Sequence, residues 1–125
     1  FDQAGVLIYI DSDHWFKASI EFENDELSRL GSVVTNYGYS DWATTDISTV
    51  HAAWYRLSRR GADFLIESSF DGVVFNQMRI FHLHPLRESH NVAFGVYACS
   101  PTDSSFTAQF DKCTLEPCSW MAHEA

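Results

Sequence analysis

The chain has 125 residues, room for one domain and not for two. Eight Lys and Arg stand against seventeen Asp and Glu, a formal net charge of −9. That balance excludes the basic footprint nucleic-acid binding needs and opposes docking on an anionic membrane, while sugars and other proteins stay open as partners. Aromatics reach 15%, with ten Phe, five Tyr and four Trp, a weighting toward flat side chains that suit strands and fill the gap between sheets; no apolar run is long enough to span a bilayer.

The dominant hydrophobic period is two. Residues 3–10, QAGVLIYI, predict an apolar strand with Gln3 and Tyr9 on the same parity. Asp11-Ser12-Asp13 turns the chain into a second strand, 14–22, HWFKASIEF, which puts Trp15, Lys17, Ser19 and Glu21 on one face and Phe16, Ala18, Ile20 and Phe22 on the other. Residues 23–26 form the next turn, and Ser32-Val33-Val34-Thr35-Asn36 the next strand. Residues 37–50, rich in Gly, Ser, Thr and Asp, predict mostly loop. Strands follow at 52–58 and 63–70, joined at Arg60-Gly61, and Asp71-Gly72 is a hairpin signal into 74–82. Residues 83–91, with Pro85, predict loop. Residues 92–99 predict a buried strand, stopped by Ser100-Pro101, and 105–111 a last strand with Phe106, Ala108 and Phe110 inward. No long capped helix is present. About eight strands joined by hairpin-like turns predict an all-β antiparallel sandwich over residues 1–125, with an up-and-down barrel as the alternative.

Cys99, Cys113 and Cys118 make an odd set, a poor disulfide framework, and no Asn-x-Ser/Thr sequon occurs. Both features point to a reducing, cytoplasmic setting. Phe1 stands inside strand-like sequence without an initiator Met, so N-terminal strands, and with them any signal peptide, are expected to be missing.

Several pieces follow one another in a distinctive order and spacing: Asp2-Gln3-Ala4-Gly5, Trp15-Phe16-Lys17-Ala18-Ser19-Ile20-Glu21, Ser32-Val33-Val34-Thr35-Asn36, Ser40-Asp41-Trp42, Trp54-Tyr55-Arg56-Leu57-Ser58-Arg59, Ser69-Phe70-Asp71-Gly72, then Ser100-Pro101 and the Phe106/Phe110 segment. Together they resemble the concanavalin A-like domain-of-unknown-function family labelled "regulation of enolase", over nearly the whole chain. The resemblance implies a jelly-roll sandwich, here without the family's N-terminal strands, and it implies no established enzymatic activity.

Strand parity groups Gln3, Tyr9, Trp15, Lys17, Glu21, Trp54, Arg56 and Glu67 as the lining of one concave sheet face, with Trp42 at its rim. Flat rings that stack on a pyranose, interleaved with amides, carboxylates and cations that bond its hydroxyls, suit carbohydrate. The same residues also suit plain cross-strand salt bridges, Lys17–Glu21 and Arg56–Glu67. A second reading is an intracellular domain acting on a metabolic enzyme, and a third a glycoside hydrolase with Glu21 and Glu67 as its carboxylate pair. His82 and His84 read as a surface pair, Asp11, Asp13 and Asp71 as turn residues, and Cys99 as inert packing. No catalytic residue, metal or cofactor is expected. Beside carbohydrate or a protein partner, a homodimer through an uncovered strand edge is the remaining association.

Overall fold

The computed structural model describes residues 2–88, 91–102 and 106–121. Eight strands run as β1 (Gln3–Asp11), β2 (His14–Phe22), β3 (Leu27–Asn36), β4 (Tyr39–Ser48), β5 (Trp54–Arg60), β6 (Asp63–Ser69), β7 (Asn76–His82) and β8 (Ala93–Cys99). They form two antiparallel sheets, a five-stranded one in the order β4-β3-β2-β1-β8 and a three-stranded one in the order β5-β6-β7. The chain crosses between sheets twice, from β4 to β5 and from β7 through a 3₁₀ turn at His84–Glu88 to β8.

Local chemistry accounts for the hairpins. At the first, Asp11 Oδ1 accepts from the backbone of Asp13 and meets His14 Nδ1, both at 2.9 Å. At the second, Asn24 Oδ1 accepts the backbone N–H groups of Glu26 and Leu27, both at 2.9 Å, an Asx turn. The third places Tyr37 and Gly38 at φ of 52° and 78°.

The turn after β6 is held by Asp71, whose Oδ1 accepts from the backbone of Val73 at 2.8 Å and Val74 at 2.9 Å and from Ser69 Oγ at 2.9 Å. These donors, the backbone ones first, hold the Asp71 carboxyl below its ordinary value of 3.8. A lowered folded pKa adds stability above the ordinary value, and that stability disappears as pH falls through the lowered one. Asp71→Asn should therefore melt below the parent at neutral pH, and the two melting curves should converge under acid conditions; thermal melts across that range check this, and a gap that persists in acid would contradict it.

The core is the period-two pattern made solid. Ile8, Phe16, Ala18 and Val34 from the five-stranded sheet meet Phe64, Ile66 and Phe81 from the other, with Ala62, Leu83 and Leu86 closing the ends. Phe16 stacks on Phe81 at 3.8 Å between ring centroids, and Phe81 on Phe64 at 5.1 Å, so one column of rings bridges the sheets.

Three expectations change. Residues 39–48 form a paired strand and not a loop. β4 is an edge strand, exposed on nearly every residue, so it carries no burial period, and its Ser, Thr and Asp are the polar residues that guard an edge. Conversely, 106–121 contain no strand, whereas Phe106, Ala108 and Phe110 were expected to face inward on one; Phe106 and Phe110 are exposed. Residues 103–105, which include the start of that expected strand, lie outside the described residues. Finally, β8 is mostly exposed and not buried. Its Phe94 and Val96 pair with Ile8 and Val6 and so face the same side as the core, yet they are 52% and 51% exposed, because three strands do not reach across five. Cys99 is exposed with them, and Cys99, Cys113 and Cys118 are all free thiols. Among the described residues no helix is long and apolar enough to cross a membrane.

Candidate functional site

The register fixes which side chains share a surface. Ile8, Phe16, Ala18 and Val34 point into the core, so the alternate residues point out from the five-stranded sheet. Reading across the strands, one row runs Ser40, Thr35, Trp15, Tyr9 and Ala93, and the next runs Trp42, Val33, Lys17, Leu7 and Gly95. A third runs Thr44, Gly31, Ser19, Gly5 and Tyr97, and the last Asp46, Arg29, Glu21, Gln3 and Cys99. Gln3, Tyr9, Trp15, Lys17, Glu21 and Trp42 therefore lie on one outer face. Trp42 is 72% exposed and Tyr9 53%, from strands three apart in the sheet order.

The row beyond Trp42 and Lys17 contributes little side chain at Gly31, Ser19 and Gly5, and the Glu21 and Gln3 row follows it. A polar network organises that end. Gln3 Nε2 donates to Glu21 Oε2 at 3.3 Å, the Tyr97 hydroxyl donates to Gln3 Oε1 at 3.3 Å, and Lys17 Nζ sits 5.9 Å from the Tyr97 ring centroid. Burial pushes the Tyr97 phenol above its ordinary value, with the Ser19 hydroxyl opposing, which keeps the phenol a donor.

Trp54, Arg56 and Glu67 do not join this face. Tyr55, Leu57, Phe64 and Ile66 pack into the core, so Trp54, Arg56 and Glu67 point out from the three-stranded sheet, on the opposite side of the sandwich. The expectation of a single hollow lined by all of these residues is corrected on this point. Parity within a strand says which residues point outward, but two sheets have two outer faces.

Each of the three has a structural partner. Arg56 Nε and Nη2 bind Glu67 Oε1 and Oε2 at 2.9 and 3.0 Å, and the guanidinium lies 4.2 Å from the Phe75 ring centroid. The Glu67 hydrogen bond raises the Arg56 pKa further. Trp54 covers the Asp71 turn, where a Cβ on Gly72 would meet its ring at 2.9 Å. Glu21 and Glu67, pointing away from each other across two sheets, cannot flank one glycosidic bond, which needs carboxyl groups within about 5–10 Å.

A second polar surface escaped the sequence reading. A cleft of about 410 Å³ opens between the sheets on the β4 and β7 side, lined among others by Asn36, Tyr39, Asp41, Asp63, Arg79 and His82. Arg79 Nη2 pairs with Asp41 Oδ1 at 3.3 Å, and Arg79 Nη1 donates to the Asp41 carbonyl at 3.3 Å, tying β7 to β4. The available signal was the parity of Asp41 against Trp42, hidden by reading that strand as loop.

Three comparisons place the chain among known proteins. The family model described as protein of unknown function (DUF1349) matches residues 1–118. "Regulation of enolase protein 1" of Saccharomyces cerevisiae is 33% identical over 116 residues, 92% of this chain and 56% of that protein. The crystal structure of a functionally unknown protein from Saccharomyces cerevisiae superposes with a TM-score of 0.68 and 34% identity, covering 81% of this chain and 52% of its own. The chain thus spans about half the length of these relatives.

Proposed function

The chain belongs to the DUF1349 family of proteins of unknown function, and from that premise we propose that it is a non-catalytic binding domain whose recognition surface is the outer face of the five-stranded sheet. The observation that carries this is the pairing of Trp42 and Tyr9, both more than half exposed, with Lys17, Glu21 and Gln3 on the same face. Exposed aromatics are the usual anchors of a binding surface, and fixed polar groups beside them supply orientation. On the opposite face, Arg56 and Glu67 already satisfy each other, and Trp54 is committed to a turn.

For the partner, the relative named for regulation of enolase favours a metabolic enzyme, with this domain as a regulatory ligand. A cytoplasmic setting goes with that reading and is consistent with three free thiols. Carbohydrate is the second reading. It is favoured by the exposed Trp42 and Tyr9 rings, flat surfaces on which a pyranose stacks, on the same face as the polar Gln3–Glu21 pair.

One experiment addresses both readings. The whole chain is titrated with purified enolase and, separately, screened on a glycan array. Whichever ligand binds, Trp42→Ala should weaken it at least about tenfold, while Arg56→Ala on the far face leaves affinity within about twofold. Binding that survives Trp42→Ala and Lys17→Ala but fails with Arg56→Ala would move the site to the other sheet. Absence of binding to both probes would overturn the proposal.

A further inference from the structure

We propose that His82 and His84 form a two-imidazole chelate for a divalent transition-metal ion of borderline softness, copper(II) or zinc(II), with Asp63 orienting the first ring. Spacing alone makes this pair ordinary surface histidines. The geometry adds three things that spacing does not contain.

The first is the distance. His82 Nε2 lies 3.1 Å from His84 Nδ1. Two nitrogens bound to one tetrahedral zinc ion, each about 2.0–2.1 Å from it, stand about 3.4 Å apart. The rings now stand 55° to each other, and chelation requires each to turn so that its lone pair leaves the line between the two nitrogens and points at a common ion.

The second is the proton inventory. Asp63 Oδ1 sits 2.8 Å from His82 Nδ1, so the carboxylate fixes the proton of a neutral His82 on Nδ1 and leaves Nε2 as a lone pair directed away from Asp63. This carboxylate–histidine pairing raises ligand basicity and sets ring orientation at metal centres. With His82 in that tautomer, the contact between the rings is closed by a proton on His84 Nδ1 donated to that lone pair. When a cation takes the place of this proton, the proton resides on His84 Nε2, and both imidazoles stay neutral.

The third is rigidity. Asn36 clamps the backbone on both sides of the fully buried Leu83: its Nδ2 donates to the His82 carbonyl at 2.8 Å, and its Oδ1 accepts the His84 N–H at 3.0 Å. Asp63 is the direct cross-strand partner of His82 in the β6–β7 ladder. The Tyr37 ring lies 5.8 Å from the His84 ring, centroid to centroid. Two ligands on backbone held this way lose little freedom when a metal binds, which is what an effective site requires.

Among the described residues no group of three or more metal-binding side chains converges. Protein therefore supplies two donors here and water the rest. Imidazole donors and an open coordination sphere favour copper(II) over zinc(II), and zinc(II) over manganese(II) or magnesium(II). The formal charge of −9 adds a general attraction for cations.

The test uses the whole chain with Cys99, Cys113 and Cys118 replaced by Ser, since exposed thiols would compete for either ion. Zinc(II) is titrated calorimetrically, and copper(II) is followed by electron paramagnetic resonance. One equivalent should bind, His82→Ala and His84→Ala should each weaken it more than tenfold, and Asp63→Asn should weaken it about tenfold. The copper spectrum should show two nitrogen donors in the parent and one in either alanine variant. Unchanged affinity in both alanine variants, or a spectrum with fewer than two nitrogens in the parent, would overturn the chelate. Full affinity in Asp63→Asn would overturn the role given to Asp63.

Discussion

Gly5→Ala should destabilise this protein by about 3 kcal/mol or more, beyond the usual range for overpacking. In β1, Gly5 stands opposite Ser19 on β2. A Cβ built there would lie 1.8 Å from the Ala18 carbonyl oxygen and 2.7 Å from the Ser19 Cα. These are backbone atoms of the neighbouring strand, so no rotamer change relieves the clash; β1 and β2 must separate, and they carry Ile8, Phe16 and Ala18 of the core. Gly95→Ala is the matched control, because its new Cβ meets nothing within 4 Å. It should be neutral or gain up to about 0.5 kcal/mol, the ordinary benefit of removing glycine from a strand. Chemical denaturation of both variants gives the comparison directly. Equal midpoints for Gly5→Ala and the parent would show that the two strands can part without cost. The same site bears on recognition, since Gly5 belongs to the side-chain-poor row of the proposed binding face. A variant that keeps its fold but loses ligand would report on that row separately from the core.

How much of this was readable in advance depends on what each strand touches. β2 was legible because one of its faces is core and the other is not: Phe16 and Ala18 are fully buried while Trp15 and Lys17 are half-buried, and the sequence alternates accordingly. The turns at Asp11, Asn24, Gly61 and Gly72 were legible because their chemistry is local. β4 was not, since an exposed edge strand has no period to read. The segment around Phe106 and Phe110 erred in the other direction, with alternation but no strand ladder to join.

The candidate site divides along the same principle. Parity identified Gln3, Tyr9, Trp15, Lys17 and Glu21 together, because β1 and β2 are joined by a tight hairpin that keeps them in one sheet. It identified Trp54, Arg56 and Glu67 together for the same reason, through the β5–β6 hairpin. What no local pattern contains is that the β4–β5 connection changes sheets, which sends the second group to the opposite surface. The Asp63–His82–His84 arrangement was equally hidden, because it depends on the cross-strand register of β6 with β7 and on Asn36 reaching over from β3.

Phe16→Ala should cost about 3–5 kcal/mol, a substantial part of the roughly 5–15 kcal/mol that holds an ordinary domain folded. Phe16 has no exposed surface, and its ring lies nearly parallel to that of Phe81 at 10°. It is the contribution of the five-stranded sheet to the ring column, whose other members, Phe81 and Phe64, belong to the three-stranded sheet. Truncation therefore removes packing at the junction of the sheets and leaves a void that neither flat sheet can fill without bending. Phe16→Leu keeps much of the volume and should cost less, about 1–2 kcal/mol. The order of effects in denaturant, parent above Leu above Ala, tests the column. An Ala variant as stable as the Leu variant would mean that the sheets collapse around the gap and that sheet-to-sheet adhesion resides elsewhere. The exposed Phe94 and Val96 provide the contrast on the same inner side of the five-stranded sheet: Val96→Ala, where little apolar surface is removed from water, should fall within about 1 kcal/mol of the parent.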